Sequence, residues 1–279
     1  MRQTLPMIRL VLAAVFMAAP LAATAQPPAP PPAAPAVRPW QVDWGQYYCA
    51  AIRKADAGRP FATAFVTTPG MRGMHIALIR RDANGSMPAG ITEVVLMPAG
   101  TRFTVTNRNE AARGGEVQRL YGLPVEFVDQ LAGAEALELR RDGRLRERVP
   151  LDGVRAALAA HRQCLTAVAG EWGLDLAALA ALGKRPDSPN DLGLTIDDYP
   201  AEALRRANQG RVVMRIDVSA AGRPTACLPV ASSGSPAIDA AACHRAMSDR
   251  AQYMPALDAD GHPVAARVVF MATFRLPDG

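Results

Sequence analysis

Lysine is nearly missing from this chain. Lys54 and Lys184 are the only two, arginine supplies the rest of the 31 basic residues, and 26 acidic residues leave a net charge of +5 over 279 residues. So mild a balance, carried by arginines spread along the sequence, calls for neither nucleic acid nor an anionic membrane as partner. Histidine is also scarce. His75, His161, His244 and His262 stand at no metal-ligand spacing, and no C-x-x-C joins any of the four cysteines, which argues against a metal centre or a redox pair. His244 reads as a surface helix residue and His262 as a turn residue. Asp258 and Asp260 precede Gly261 as in a calcium loop, but no bidentate glutamate follows at the required offset, so the segment reads as a turn. No G-x-S-x-G surrounds Ser232, Ser233 or Ser235, and neither a carboxylate pair nor a phosphate cradle stands out. No catalytic residue, metal or cofactor is therefore assigned, and the chain is not expected to be an enzyme. Arg140, Arg141, Arg144, Arg146 and Arg148 are interleaved with Glu138, Asp142 and Glu147 without an aromatic ladder, so they read as a solvated ribbon and not a nucleic-acid surface.

Long apolar runs are missing everywhere except at the start. Arg2 and Arg9 precede an apolar stretch from Leu10 to Leu21, and Ala23-Thr24-Ala25 supplies a small-x-small cleavage triplet. This is the pattern of a secretory signal peptide over residues 1–25. Its rival is an uncleaved inner-membrane anchor, but Leu10 to Ala25 is shorter than the roughly 20 residues of a spanning helix and Pro20 interrupts it. Removal of the leader leaves 29 basic against 26 acidic residues, or +3. The expected location is the periplasm, an oxidising compartment in which four cysteines predict disulfides.

Gln26 to Pro39 holds seven prolines in fourteen residues, a spacer that favours polyproline II and reaches roughly 40 Å. Residues 40–168 read as a β-rich domain. Phe61–Thr67, Met74–Arg81, Glu93–Met97 and Arg102–Thr106 are short β-forming runs, with turns at Pro69-Gly70, Asn84-Gly85 and Pro98-Ala99-Gly100. Ala136 to Val149 predicts a hairpin turning at Asp142-Gly143. Val154–Leu165 then predicts a helix. Asp175–Leu182 predicts a helical fragment, and Lys184–Asp191 a linker, within a connecting segment over 169–191. Residues 192–279 form the second domain. Ala201–Arg206 is a short helix, and Arg211–Ser219 alternates as a strand with Val212, Met214, Ile216 and Val218 on one face. Pro224–Ala231 is a second strand. Ser235 caps a helix that starts at Pro236 and runs to about Ala251, and Ala265–Leu276 is the last strand. The order strand, strand, helix, strand predicts a small α+β sandwich. No internal repeat is present.

Four cysteines permit three pairings. The domain division favours Cys49 with Cys164 and Cys227 with Cys243, because crossed pairs would tie the domains together. The second bridge would staple the helix to the sheet.

Tyr199-Pro200, Gly210-Arg211-Val212-Val213, the Gly222 turn, Ser232-Ser233-Gly234-Ser235, Ile238-Asp239, Pro255-Ala256 and Asp260-Gly261-His262-Pro263-Val264 recur in one order before the closing apolar strand. This ordered set resembles the C-terminal domain of TonB energy-transducer proteins over about residues 199–279. The residues before it resemble a companion domain to which no function attaches. The resemblance implies a ββαβ domain with one helix on a three-stranded antiparallel sheet, a periplasmic location, and a protein or peptide partner such as the periplasmic segment of an outer-membrane receptor. That partner would pair by strand addition with the final strand at Arg267, Val269, Met271, Thr273 and Arg275. The absence of a convincing anchor and the shortness of the spacer set the chain apart from a full energy transducer. The alternative is a secreted hydrolase or ligand-binding protein that uses the TonB-like domain only for docking, with His75 or His161 converging on carboxylates in a cleft.

Overall fold

The computed structural model describes residues 38–276 apart from 57–58, 72, 82–85, 113, 125 and 189–190. The leader, residues 26–37 of the spacer and the Asn84-Gly85 turn lie outside the described residues. The first part is a nine-stranded sheet built from β1 (Gln41–Trp44), β2 (Cys49–Arg53), β3 (Phe61–Thr67), β4 (Met74–Arg80), β5 (Gly90–Met97), β6 (Thr101–Ala112), β7 (Gly115–Leu123), β8 (Ala136–Arg141) and β9 (Arg144–Pro150). Its order is β1-β2-β3-β4-β7-β6-β5-β8-β9, and every neighbouring pair is antiparallel.

The sheet curls until its ends meet. Arg53 of β2, buried to 2%, donates to the Pro150 carbonyl of β9 at 3.0 Å, and the Trp40 indole N–H donates to the Asp152 carbonyl at 3.0 Å. Inside the curl lie Phe61, Phe65, Ile76, Leu78, Val94, Leu96, Leu120, Leu137 and Leu139, closed over by α1 (Glu126–Leu131) and the start of α2 (Val154–Glu171). Helix α2 buries Val154, Ala157, Leu158, His161, Cys164 and Val168, an apolar stripe at helical spacing.

Three strands carry little apolar signal. β2 is alanine-rich and ends in Arg53. β6 continues beyond the predicted Thr106 to Ala112 through polar residues, and β7 has Gln118 at its centre. Polar side chains are tolerated inside because they bond backbone: Asn107 Nδ2 donates to the carbonyls of Met87 at 3.1 Å and Pro88 at 2.8 Å. In the arginine ribbon Arg144, Arg146 and Arg148 are exposed, as the sequence implies, whereas Glu138 is buried. Glu138 is 3% exposed and binds Arg140 at 2.7 Å and Arg148 at 2.8 Å, while Arg80 of β4 reaches Glu147 at 2.7 Å.

After α3 (Leu176–Ala181) and α4 (Ala201–Arg205), the second part forms a three-stranded antiparallel sheet. Its strands are β10 (Gly210–Val218), β11 (Pro224–Ala231) and β14 (Ala266–Phe274), in the order β11-β10-β14, covered by α5 (Pro236–Ala246). This is the ββαβ arrangement the sequence predicts, and the whole chain is α+β. A two-residue ladder, β12 (Ala256–Leu257) with β13 (Pro263–Val264), precedes the last strand. Helix α5 stops at Ala246, short of Ala251, because the Tyr253 hydroxyl donates to the Ala246 carbonyl at 2.8 Å. Ser235 holds the N-cap position without bonding the helix through its hydroxyl. Asp239 instead ties the approach, accepting from Ser233 N at 2.9 Å and from Ser233 Oγ at 2.7 Å.

Cys49 of β2 is bonded to Cys164 of α2, and Cys227 of β11 to Cys243 of α5. The second bridge closes a separation of 16 residues, for which chain entropy gives about 3 kcal/mol. Replacing Cys227 and Cys243 together by alanine is expected to lower unfolding stability by about that amount in urea titrations. An unchanged midpoint would show that the helix holds to the sheet without the staple.

Candidate functional site

A three-stranded antiparallel sheet ordinarily keeps one face in water. Here β10 is buried on both. Val212, Met214, Ile216 and Val218 face Ile238, Ala242 and Ala246 of α5, whereas Val213 lies in a separate cluster with Ala231, Val269, Trp172, Leu174 and Leu179. The sequence carries the signal as uninterrupted apolar runs, Val212-Val213-Met214 and Val268-Val269-Phe270-Met271, in place of strict alternation.

What covers this second face is the end of α2. Trp172 caps the helix, Gly173 follows at φ +67°, and the N–H groups of Gly173 and Leu174 return to the carbonyls of Gly170 at 3.0 Å and Ala169 at 2.8 Å. This is a Schellman ending, and it leaves the last two carbonyls pointing outward. Arg215 Nη1 of β10 donates to Trp172 O at 2.9 Å, and Arg267 Nη1 of β14 donates to Gly173 O. Asp217 sits 3.2 Å from Arg215 and 3.4 Å from Arg267, holding both guanidiniums at a negative helix end. A side chain at Gly173 would be strained by the positive φ, and its Cβ would stand 2.8 Å from Arg215 Nη1 and displace that guanidinium.

Strand β14 pairs only with β10 among the described strands, so no described strand pairs its other edge. Two hollows lie along it. One, of about 220 Å³, is formed by Gly70, Leu179, Arg185, Pro186 and residues Arg267 to Phe270; the other, of about 250 Å³, by Leu194 to Ile196, Tyr199 and Thr273 to Arg275. Ile196 stands 63% exposed at the second. Of the predicted partner-binding residues, Arg267 is committed to the α2 end and Val269 is 4% exposed under Gly70 and Leu174. Met271 is half-buried, and Thr273 and Arg275 are exposed. The structure thus offers the edge of β14 more freely than its outer face.

His75 shares a hollow with Glu110 and His161 another with Asp129, but neither ring bonds a carboxylate among the described residues. His161, 1% exposed, donates from Nε2 to the Cys49 carbonyl at 3.0 Å, and burial lowers its pKa. His75 Nε2 lies 3.4 Å from Arg119 Nη1. A guanidinium only donates, so His75 accepts there as the neutral ring protonated at Nδ1. Burial and the neighbouring Arg119 push its pKa down to about 4. In the Asp258–Asp260–His262 turn, the acceptor atoms lie within 4.8 Å of one another, and Asp258 Oδ1 accepts from the N–H groups of Asp260 at 3.0 Å and His262 at 2.8 Å.

Residues 197–276 match the family of the Gram-negative bacterial TonB protein C-terminal. The match spans 80 of the 279 residues and takes in α4, the three-stranded sheet and α5. TonB C-terminal domains are protein-interaction modules of the cell envelope whose partners include outer-membrane receptors. Comparison of the whole chain with curated proteins and with solved structures returns no match. No helix among the described residues is long and apolar enough to cross a membrane.

Two outcomes follow from this geometry. Arg215→Met keeps the aliphatic stem but removes a charged hydrogen bond to the α2 end, and is expected to cost roughly 2 kcal/mol in urea unfolding. A change below about 0.5 kcal/mol would mean that water replaces the arginine. For His75 the folded pKa lies below the ordinary 6.5, so the unfolded chain binds the extra proton. Stability should therefore fall as pH drops from about 6.5 to about 4, by at most about 3 kcal/mol from this group, and level off below. His161 acts in the same direction. Urea midpoints at pH 7 and 4.5 should differ less in His75→Gln than in the native chain; equal differences would remove His75 from the account.

Proposed function

We propose that residues 197–276 bind an extended peptide by adding it as a strand to the open edge of β14, and that the protein serves outer-membrane transport from the periplasm. The observation that carries this reading is an unpaired nine-residue strand edge in a segment that matches the TonB C-terminal family. Strand addition draws affinity from backbone N–H and C=O groups and selectivity from pockets beside alternate side chains. The two hollows flanking β14 lie where such pockets are required. Two disulfides suit an oxidising compartment, as does a leader at residues 1–25. Binding, not catalysis, is the role this arrangement supports. Because Arg267 and Val269 are engaged within the chain, selectivity falls to Thr273, Arg275 and the rims of the hollows.

A photo-cross-linking residue at Thr273 is expected to capture an extended segment of an outer-membrane protein in intact cells. The same residue at Leu228, exposed on the far strand β11, is the control. Peptide mapping of the adduct should place the linkage in a segment without helical structure, and hydrogen exchange of β14 amides should slow when that segment is added as a synthetic peptide. Equal capture at Leu228, or unchanged β14 exchange, would overturn the reading.

A further inference from the structure

A third hollow lies against the first sheet. It has a volume of about 510 Å³ and sits on the face of β2, β3, β4 and β7 turned away from the core. Strand register explains why it is there. Ile52, Ala64, Ala77 and Arg119 fall in one row across four strands, and Ala50, Val66 and His75 fall in the next, with Tyr121 5.4 Å from the His75 ring. Alanines stand where larger β-formers would fill the surface, which leaves an apolar floor of the size used by small-molecule sites, about 300–1,000 Å³. One end is walled by Arg211 of β10 and Met271 of β14, so both parts of the chain build it.

The charges at this floor do not balance. Arg119 is paired with Glu110 at 3.1 Å, and His75 is neutral. Arg211 lies over the Tyr47 ring at 5.3 Å, donating from Nη1 to the Tyr47 hydroxyl at 3.0 Å and from Nε to Thr273 Oγ1 at 3.3 Å. It has no carboxylate partner among the described residues, and its Nη2 hydrogens make no bond there. The His75 Nδ1–H is also left without a protein acceptor among the described residues. Two guanidiniums against one carboxylate, with a spare ring N–H beside them, form the lining of an anion site at one end of an apolar floor.

We propose that this hollow binds a small amphipathic anion, a carboxylate held by Arg211 with its apolar body on Ala50, Ala64 and Ala77. A neutral apolar molecule would leave Arg211 uncompensated, and a compact inorganic anion would leave the apolar lining unused. The ligand would bridge the nine-stranded sheet and the TonB C-terminal domain. The proposal differs from strand addition in the groups that bind, Arg211 and the apolar lining, although Met71 and Thr273 also border the hollows beside β14.

Methyl NMR of the full disulfide-bonded chain labelled at methionine tests it, with decanoate as probe and 1-decanol as its uncharged counterpart. Decanoate is expected to shift the methyls of Met71 and Met271 saturably. 1-Decanol should bind about tenfold more weakly, as should decanoate to Arg211→Gln, the loss of one charge-assisted hydrogen bond. Ala64→Leu fills the floor with Arg211 intact and should abolish the shifts while methyls elsewhere keep their native positions. Absence of saturable shifts at both methyls, equal binding of decanol, or undiminished binding by either variant would overturn the proposal.

Discussion

The carbonyl groups at the end of α2 are the point on which the molecule turns. A helix that stops in mid-structure leaves its last carbonyls without partners, and burying them unpaired would cost as much as several lost hydrogen bonds. Arg215 and Arg267 meet them from neighbouring strands of the other sheet, with Asp217 between to offset the two positive charges. Once those bonds exist, the apolar residues around them have somewhere to go. Val213, Ala231 and Val269 close on Trp172, Leu174 and Leu179, and the Cys49–Cys164 bridge fixes the helix to the first sheet behind them. Residues 38–276 accordingly lie within one compact unit, although the described residues form three sheets and three apolar clusters.

This docking decides which chemistry remains available. The outer face of the TonB C-terminal sheet is spent on the interior, while no described strand pairs the outer edge of β14. Recognition at that edge would read backbone first, with side chains discriminating only toward the Thr273 end and in the flanking hollows. The same docking walls off the alanine floor, because Arg211 and Met271 reach it only from the position that the α2 contacts impose.

Much of the C-terminal architecture was legible in the sequence because alternation and turn signals agreed. Pro224–Ala231 is a strand over the very residues the pattern marks, and Gly222 at φ +73° makes the turn before it. Phe61–Thr67 was equally plain. β1, β2 and β7 were not, since Gln118 and Arg53 are stabilised by distant carbonyls or burial that no local pattern encodes. The hollow was invisible for another reason. Ala50, Ala64 and Ala77 lie far apart in the chain and become one surface only through strand register. Val269 shows the converse, a residue whose outward place in the strand was readable but whose covering was not, because the cover arrives from a helix about a hundred residues earlier.

The double burial of β10 also bears on how this protein can be divided. Severed near residue 191, the matched segment would carry Val213, Ala231 and Val269 as a contiguous greasy patch on a sheet that elsewhere in the molecule has a lid. Arg215 and Arg267 would border that patch with nothing to hold. The matched segment in this chain is therefore one wall of a larger unit, closed by the end of α2.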